Sequence, residues 1–193
     1  GNLAEKLVGL VKQSYSAISK TSPIIEEVKY NAQKLIRLTS RREQVLEQLI
    51  ELAKPLPEYV ILLSIPGIAE TTGTSVIGEL GDIRRFTSAN QINAFIGIDL
   101  KHYESGDFLG QEHITKRGNP CARKILYKSI RNIASASHTN PCHIADFYEK
   151  RNRQSTIAST KPHTISSIHR LIRTMYYLIT HNKLYDYSLT QNR

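Results

Sequence analysis

Apolar residues near the amino terminus recur at helical rather than strand spacing. Leu3, Leu7, Leu10, Val11 and Ile18 share one helical face, and Thr21-Ser22-Pro23 interrupts the pattern. Ser22 before Pro23 is a helix-start signature, because the hydroxyl accepts a free N–H and the proline has none to lose. From there Ile25, Val28, Ala32, Leu35, Thr39, Arg42, Leu46, Leu49 and Ala53 step by alternating three and four residues. That is a heptad seam of about four repeats, and it stops at Pro55 and Pro57. Polar Thr39 and Arg42 interrupt it and would specify register or partner at some cost in stability. Pairing between copies and packing on the preceding helix both satisfy such a stripe, and both readings stay open.

After Pro57 the texture changes. Tyr59-Val60-Ile61-Leu62-Leu63, then Ile65-Pro66-Gly67-Ile68, then Thr71 to Gly81 predict helix, tight turn, helix. Gly67 permits a turn that a side chain would block, and Gly81 closes the second helix. A short helix is expected over Ser88–Phe95. Residues 96–118, with Gly97, Gly106 and Gly110, are the least helical part and predict a short hairpin or irregular excursion. Asn119-Pro120 and Asn140-Pro141 each start a helix, reaching about Ser137 and Arg151, and a last helix runs from near Pro162 to about His181. The fold class is therefore mainly α. A long helical hairpin or coiled coil (residues 1–57) precedes a compact helical domain (58–193) with a helix-hairpin-helix element and a short β or irregular excursion.

Charge sharpens this division. Of the 193 residues, 26 are Lys or Arg and 17 Asp or Glu, a net charge of +9. Residues 1–57 contribute +3, residues 58–110 contribute −4, and residues 111–193 contribute +10, and all seven histidines come after residue 100. A basic last third points to a polyanion, with the phosphate backbone the obvious one; a basic surface with no specific partner is the alternative. No apolar run approaches the ~20 residues of a membrane span, and the amino terminus lacks a signal-peptide pattern. The expectation is a cytoplasmic protein without a membrane partner. Cys121 and Cys142, even with His138 and His143, lack the spacing of a metal site, so they read as reduced thiols.

Three features carry candidate chemistry. The turn Pro66-Gly67-Ile68 resembles a helix-hairpin-helix, whose backbone N–H groups take a phosphate without reading sequence; a structural turn between two core helices explains it equally. Lys116-Arg117-Gly118-Asn119-Pro120 runs into Arg123, Lys124, Lys128 and Arg131. On a helix, 124, 128 and 131 share one face with 123 beside them, opposite an apolar stripe of Leu126, Ile130, Ile133 and Ala134. The positive end of that helix and its basic lead-in form a candidate phosphate cradle, against the alternative of a solvated charged face. Ser105 lies in the non-helical excursion beside Gly106, about ten residues before the basic cluster, where a nucleophile would find backbone freedom and cations. A serine before a glycine is also an ordinary turn residue. The residues alone reach nucleic-acid binding and leave catalysis open.

The succession of blocks adds to this. Ile65-Pro66-Gly67-Ile68, Glu79-Leu80-Gly81-Asp82-Ile83 with Arg85-Phe86, Ala94-Phe95-Ile96-Gly97-Ile98, Glu104-Ser105-Gly106, and Ile114-Thr115-Lys116-Arg117-Gly118-Asn119 with Arg123 occur in that order. Together, over about residues 58–182, they resemble the carboxy-terminal domain of the insertion sequence 110 transposases, relatives of the Piv/MooV DNA invertases. The preceding helices are similar to that family's coiled-coil region. The resemblance implies a recombinase that breaks and rejoins DNA as an oligomer, guided by a bridge RNA. It makes Ser105 the nucleophile and Lys116, Arg117, Asn119 and Arg123 the groups that position the DNA backbone. It also implies an amino-terminal RuvC-like domain whose four acidic residues bind Mg2+. No such acidic set precedes the heptads in this sequence, so the chain as given is expected to bind nucleic acid without recombining it and to need no cofactor of its own. Homo-oligomerisation through residues 1–57 is expected. A non-catalytic helix-hairpin-helix module is the rival reading.

Overall fold

The computed structural model describes residues 22–101, 104–105, 108–109, 113–156 and 159–190, with Lys6, Gly9, Leu10, Lys12, Gln13 and Ser19 before them. Residues 1–45 and 46–193 form two compact units. In the first, Lys6, Gly9, Leu10, Lys12 and Gln13 are helical; the rest of the helix expected over residues 3–18 lies outside the described residues. The long helix α1 (Pro23–Ala53) begins at the Ser22-Pro23 signature, with Ile24 N–H reaching the Ser22 hydroxyl at 3.4 Å. Val28 and Leu35 of its seam stand exposed, Leu35 at 67%. The second unit starts at Leu46 rather than after Pro57. The reason is local: Ala53 is buried, and the N–H of Leu56 closes on its carbonyl, so the last turns of α1 run on into the helical domain.

The second unit is mainly α, as the pattern predicts. α2 (Pro57–Leu63) and α3 (Glu70–Leu80) flank the Ile65–Ile68 turn, and the Tyr59 hydroxyl donates to Glu70 at 2.9 Å across it. A 3-10 turn (Ile83–Arg85), capped by Asp82, leads to α4 (Ala89–Ile96). In the excursion four two-residue strands, β1 (Leu100–Lys101), β2 (Glu104–Ser105), β3 (Phe108–Leu109) and β4 (His113–Ile114), form two separate antiparallel pairs. β1 pairs with β4, Leu100 opposite Ile114, and β2 with β3, Ser105 opposite Phe108. α5 (Pro120–Ala136), α6 (His143–Arg153) and α7 (Lys161–Thr180) complete the unit. The expected start of α6 at Asn140-Pro141 is corrected to His143. The Asn140 N–H still closes on the Ala136 carbonyl at 2.9 Å, so that pair belongs to the turn ending α5.

α7 is the central packing element, lying against α2, α4, α5, α6 and the 3-10 turn. Its Ile168, Leu171, Ile172 and Met175 are fully buried with Leu62, Ile92, Ile96, Leu126, Ile130 and Ile133. Each such side chain contributes about 1.5–3 kcal/mol of transfer free energy. No described helix is long and apolar enough to cross a membrane.

After α7 the chain turns back over the core. The Tyr185 N–H donates to the Ser64 hydroxyl at 2.8 Å, and its phenol oxygen accepts the His143 backbone N–H at 3.1 Å. The same oxygen lies 2.8 Å from His143 Nδ1, and His143 Nε2 lies 3.2 Å from the Thr174 hydroxyl. A neutral imidazole protonated at Nε2 satisfies all of these partners. Burial, with the nearby Arg170 charge second, holds this imidazole at about 4, below its ordinary 6.5. With the folded value depressed, the unfolded chain binds the extra proton between those two values, so the contribution to stability is complete above 6.5 and lost as pH falls toward 4. The melting temperature should therefore fall between pH 7 and pH 5, and less steeply in His143→Gln. Equal slopes for the two proteins would remove His143 as the cause.

Candidate nucleic-acid interface

The site is built around a close crossing of backbones. Gly97 ends α4 at φ 73° and Gly118 precedes α5 at φ 140°. A Cβ at Gly97 would sit 2.5 Å from the Arg117 carbonyl, and one at Gly118 would collide with the Phe95 carbonyl. Only glycine permits that approach. The crossing is sealed by Lys116 N–H to Gly97 O at 3.0 Å and Asn119 N–H to Phe95 O at 2.9 Å. Lys116 itself adopts a left-handed φ of 54°.

Asn119 then ties three helices together. Its Oδ1 accepts the N–H groups of Cys121 and Ala122 at 2.9 and 3.1 Å, capping α5, and its Nδ2 donates to Glu79 of α3 at 2.7 Å. The Arg123 guanidinium donates to the Ile96 carbonyl at the end of α4 at 2.7 Å. Gly118, Asn119 and Arg123, expected to position DNA, are thus engaged in holding the scaffold. The backbone N–H groups at the start of α5 are themselves engaged. Pro120 has no N–H, Asn119 Oδ1 takes the next two, and that of Arg123 closes on the Asn119 carbonyl.

What remains outward is cationic. Lys116 and Arg117 are exposed on the lead-in, and Lys124, Lys128 and Arg131 are exposed along α5, opposite the buried Leu126, Ile130 and Ile133. None of these five cations forms an ion pair among the described residues. From 124 to 131 the face extends about 10 Å, enough to meet successive phosphates with side chains alone. Arg131 belongs to this face as fully as Lys124 and Lys128, and its place was legible in the helical spacing.

The Pro66-Gly67-Ile68 turn is oriented inward. A Cβ on Gly67 would lie 2.6 Å from both N and Cα of Ile133, so the glycine lets α5 pack directly on the turn. Ile65 and Ile68 are buried beside it, and α3 opens with Glu70. This geometry favours the structural turn over a phosphate hairpin. Ser105 lies in β2, paired with β3; beside the separate β1-β4 pair, Thr115 donates to Asp99 Oδ1 at 2.5 Å and its N–H to the Asp99 carbonyl at 3.0 Å. Lys116 comes directly after Thr115, so the β1-β4 pair leads into the cationic stretch. The Glu79 and Asp99 contacts carried no local sequence signal. Among the described residues no three His, Cys, Asp or Glu side chains converge to hold a metal ion. Cys121 is exposed, Cys142 buried, and both are free thiols.

Comparison with known proteins finds a similarity at family level: residues 59–149 match the transposase IS116/IS110/IS902 family. This segment, a little under half of the chain, contains the turn, the two strand pairs and all of α5. Among individual relatives, the transposase for insertion sequence element IS1111A of Coxiella burnetii is 35% identical over 87 residues, covering 45% of this chain and 24% of that protein. The transposase for insertion sequence element IS1328 of Yersinia enterocolitica is 29% identical over 108 residues, covering 50% of this chain and 32% of that protein. The chain thus spans between a quarter and a third of the length of these relatives. Over that segment the chain is similar to transposases of this family.

Two kinds of substitution separate the interface from its scaffold. Replacing Lys124 and Lys128 together by Ala should weaken duplex binding and flatten the log-affinity against log-salt slope by about 2, about one per lost phosphate contact, with no change in melting temperature. Gly67→Ala should instead cost about 2–4 kcal/mol of stability through overpacking and a disfavoured φ. A fully stable Gly67→Ala protein that no longer binds DNA would restore the phosphate role of the turn.

Proposed function

We propose that this chain is the carboxy-terminal, DNA-engaging part of a transposase that breaks and rejoins DNA by phosphodiester transfer, with Ser105 as nucleophile. The observation that carries the reading is that the matched segment, residues 59–149, contains both Ser105 and the exposed cations of α5. In the proposed step the serine oxygen bonds to phosphorus while the bond from phosphorus to a deoxyribose oxygen breaks. The serine proton passes to a base, and the leaving oxygen takes up a proton. Lys116 and Arg117 neutralise the phosphoryl oxygens, and Lys124, Lys128 and Arg131 hold the flanking backbone. The metal-dependent half of the site is assigned to a RuvC-like domain of the full-length protein, and the guide to a bridge RNA. Ser105→Ala in the full-length enzyme should abolish strand exchange while duplex affinity stays within twofold. Exchange at the parental rate would remove the nucleophile.

The reading includes self-association through residues 1–57. Its support is the exposure of Val28, Leu35 and Leu49, apolar seam positions on one face of α1, which a second copy would cover. Val28→Asp with Leu35→Asp should shift the mass measured by light scattering to that of a monomer and leave the circular dichroism of the second unit intact. An unchanged mass would count against the coiled coil.

A further inference from the structure

The outer face of α7 lies beyond residues 59–149, the segment of the family match, and takes no part in the cationic face of α5. Between Glu149 and Asp186 the sequence contains no Asp or Glu, yet it contains Lys150, Arg151, Arg153, Lys161, Arg170, Arg173 and Lys183. On α7, Ser166, Arg170, Arg173 and Tyr177 succeed one another at three- and four-residue steps, opposite the buried Ile168, Leu171, Ile172 and Met175. The stripe from Ser166 to Tyr177 is about 16 Å long. Arg173 and Tyr177 are exposed, Tyr177 at 49%.

Arg170 is the informative member. Its guanidinium lies over the Phe147 ring at 4.2 Å, and Arg151 approaches the same ring at 5.5 Å. Its Nε is buried and meets no acceptor among the described residues. The neighbouring carboxylates are engaged elsewhere: Asp146 accepts from the Tyr187 hydroxyl at 2.9 Å, and Glu149 pairs with Arg153 at 3.0 Å. Burial and the adjacent Arg173 both disfavour the charge of Arg170, and no described carboxylate offsets them. A half-buried guanidinium with a free N–H and no carboxylate partner is costly. An incoming anion would relieve that cost, and a planar fork suits a phosphate. Farther along, Tyr177 stacks on His181 at 4.3 Å and Lys183 lies 5.9 Å from its ring. An exposed aromatic platform flanked by cations suits an unpaired base, because every base has a π-face to stack.

We propose that the outer face of α7 is a second nucleic-acid site that takes a single strand, with Arg170 and Arg173 on its phosphates and Tyr177 stacked on a base. The proposal rests on the nucleic-acid reading of the chain and adds a surface separate from the cationic face of α5. DNA and RNA share this chemistry, so both belong in the test. Fluorescence anisotropy of the intact chain would use labelled single-stranded DNA, single-stranded RNA of the same sequence, and duplex DNA. Arg173→Gln and Tyr177→Leu, both at exposed positions, should each weaken single-strand binding by about five- to tenfold, and Arg170→Lys, which keeps the stem over Phe147, should do the same. Duplex binding should stay within twofold in all three, while Lys124→Ala with Lys128→Ala should show the reverse preference. The DNA and RNA strands then show which of the two is bound more tightly. Single-strand affinity unchanged in Arg173→Gln and Tyr177→Leu, or an equal loss on duplex, overturns the α7 site alone. Failure of the parental chain to bind any of the three probes overturns the nucleic-acid reading itself.

Discussion

The second unit depends on one close approach, that of the Gly97 and Gly118 backbones. It brings the end of α4 within hydrogen-bond reach of the start of α5, and Asn119 then extends the tie to Glu79 on α3. A side chain at either glycine would push those helices apart. Next to this crossing Asp99 and Thr115 are hydrogen-bonded at the base of the β1-β4 pair.

A second constraint is how polar groups are distributed between core and surface. Ser129, Thr164 and Ser167 are buried, yet each hydroxyl donates to the carbonyl four residues before it. Those helices can therefore pack closely without calling on partners from neighbours. Arg123 obeys the same logic, donating to the Ile96 carbonyl left free at the end of α4. Arg170 does not, since its buried Nε meets no acceptor among the described residues. The contrast between these two arginines, one satisfied by the fold and one left by it, distinguishes a scaffold residue from a candidate contact.

Much of the helical layout was readable because helix ends are decided locally. Ser22-Pro23, Pro57, Gly81 and Asn119-Pro120 each mark a boundary found in the structure, since caps and prolines act on neighbours one to three residues away. Asn140-Pro141 misplaced the start of α6 by two residues, because α5 continues to accept from Asn140. The two faces of α5 were likewise readable, as apolar and basic positions separate cleanly at the helical period. Gly67 was recognisable as a turn glycine, but whether the turn opens toward solvent or toward α5 depends on a helix some sixty residues later in the sequence.

By itself the sequence determined where helices start and stop, which faces are apolar, and that positive charge gathers in the last third. Those properties come from backbone periodicity and local capping, which involve residues close in the chain. Tertiary structure alone decided which polar groups remain available. Asn119 and Arg123 are committed to Glu79 and Ile96, while Lys124, Lys128 and Arg131 stay outward and Arg170 is stacked on Phe147 with no carboxylate partner among the described residues. The physical reason is that a hydrogen bond or a stacked ring needs a partner within a few ångströms. Those partners come from helices that only packing brings together.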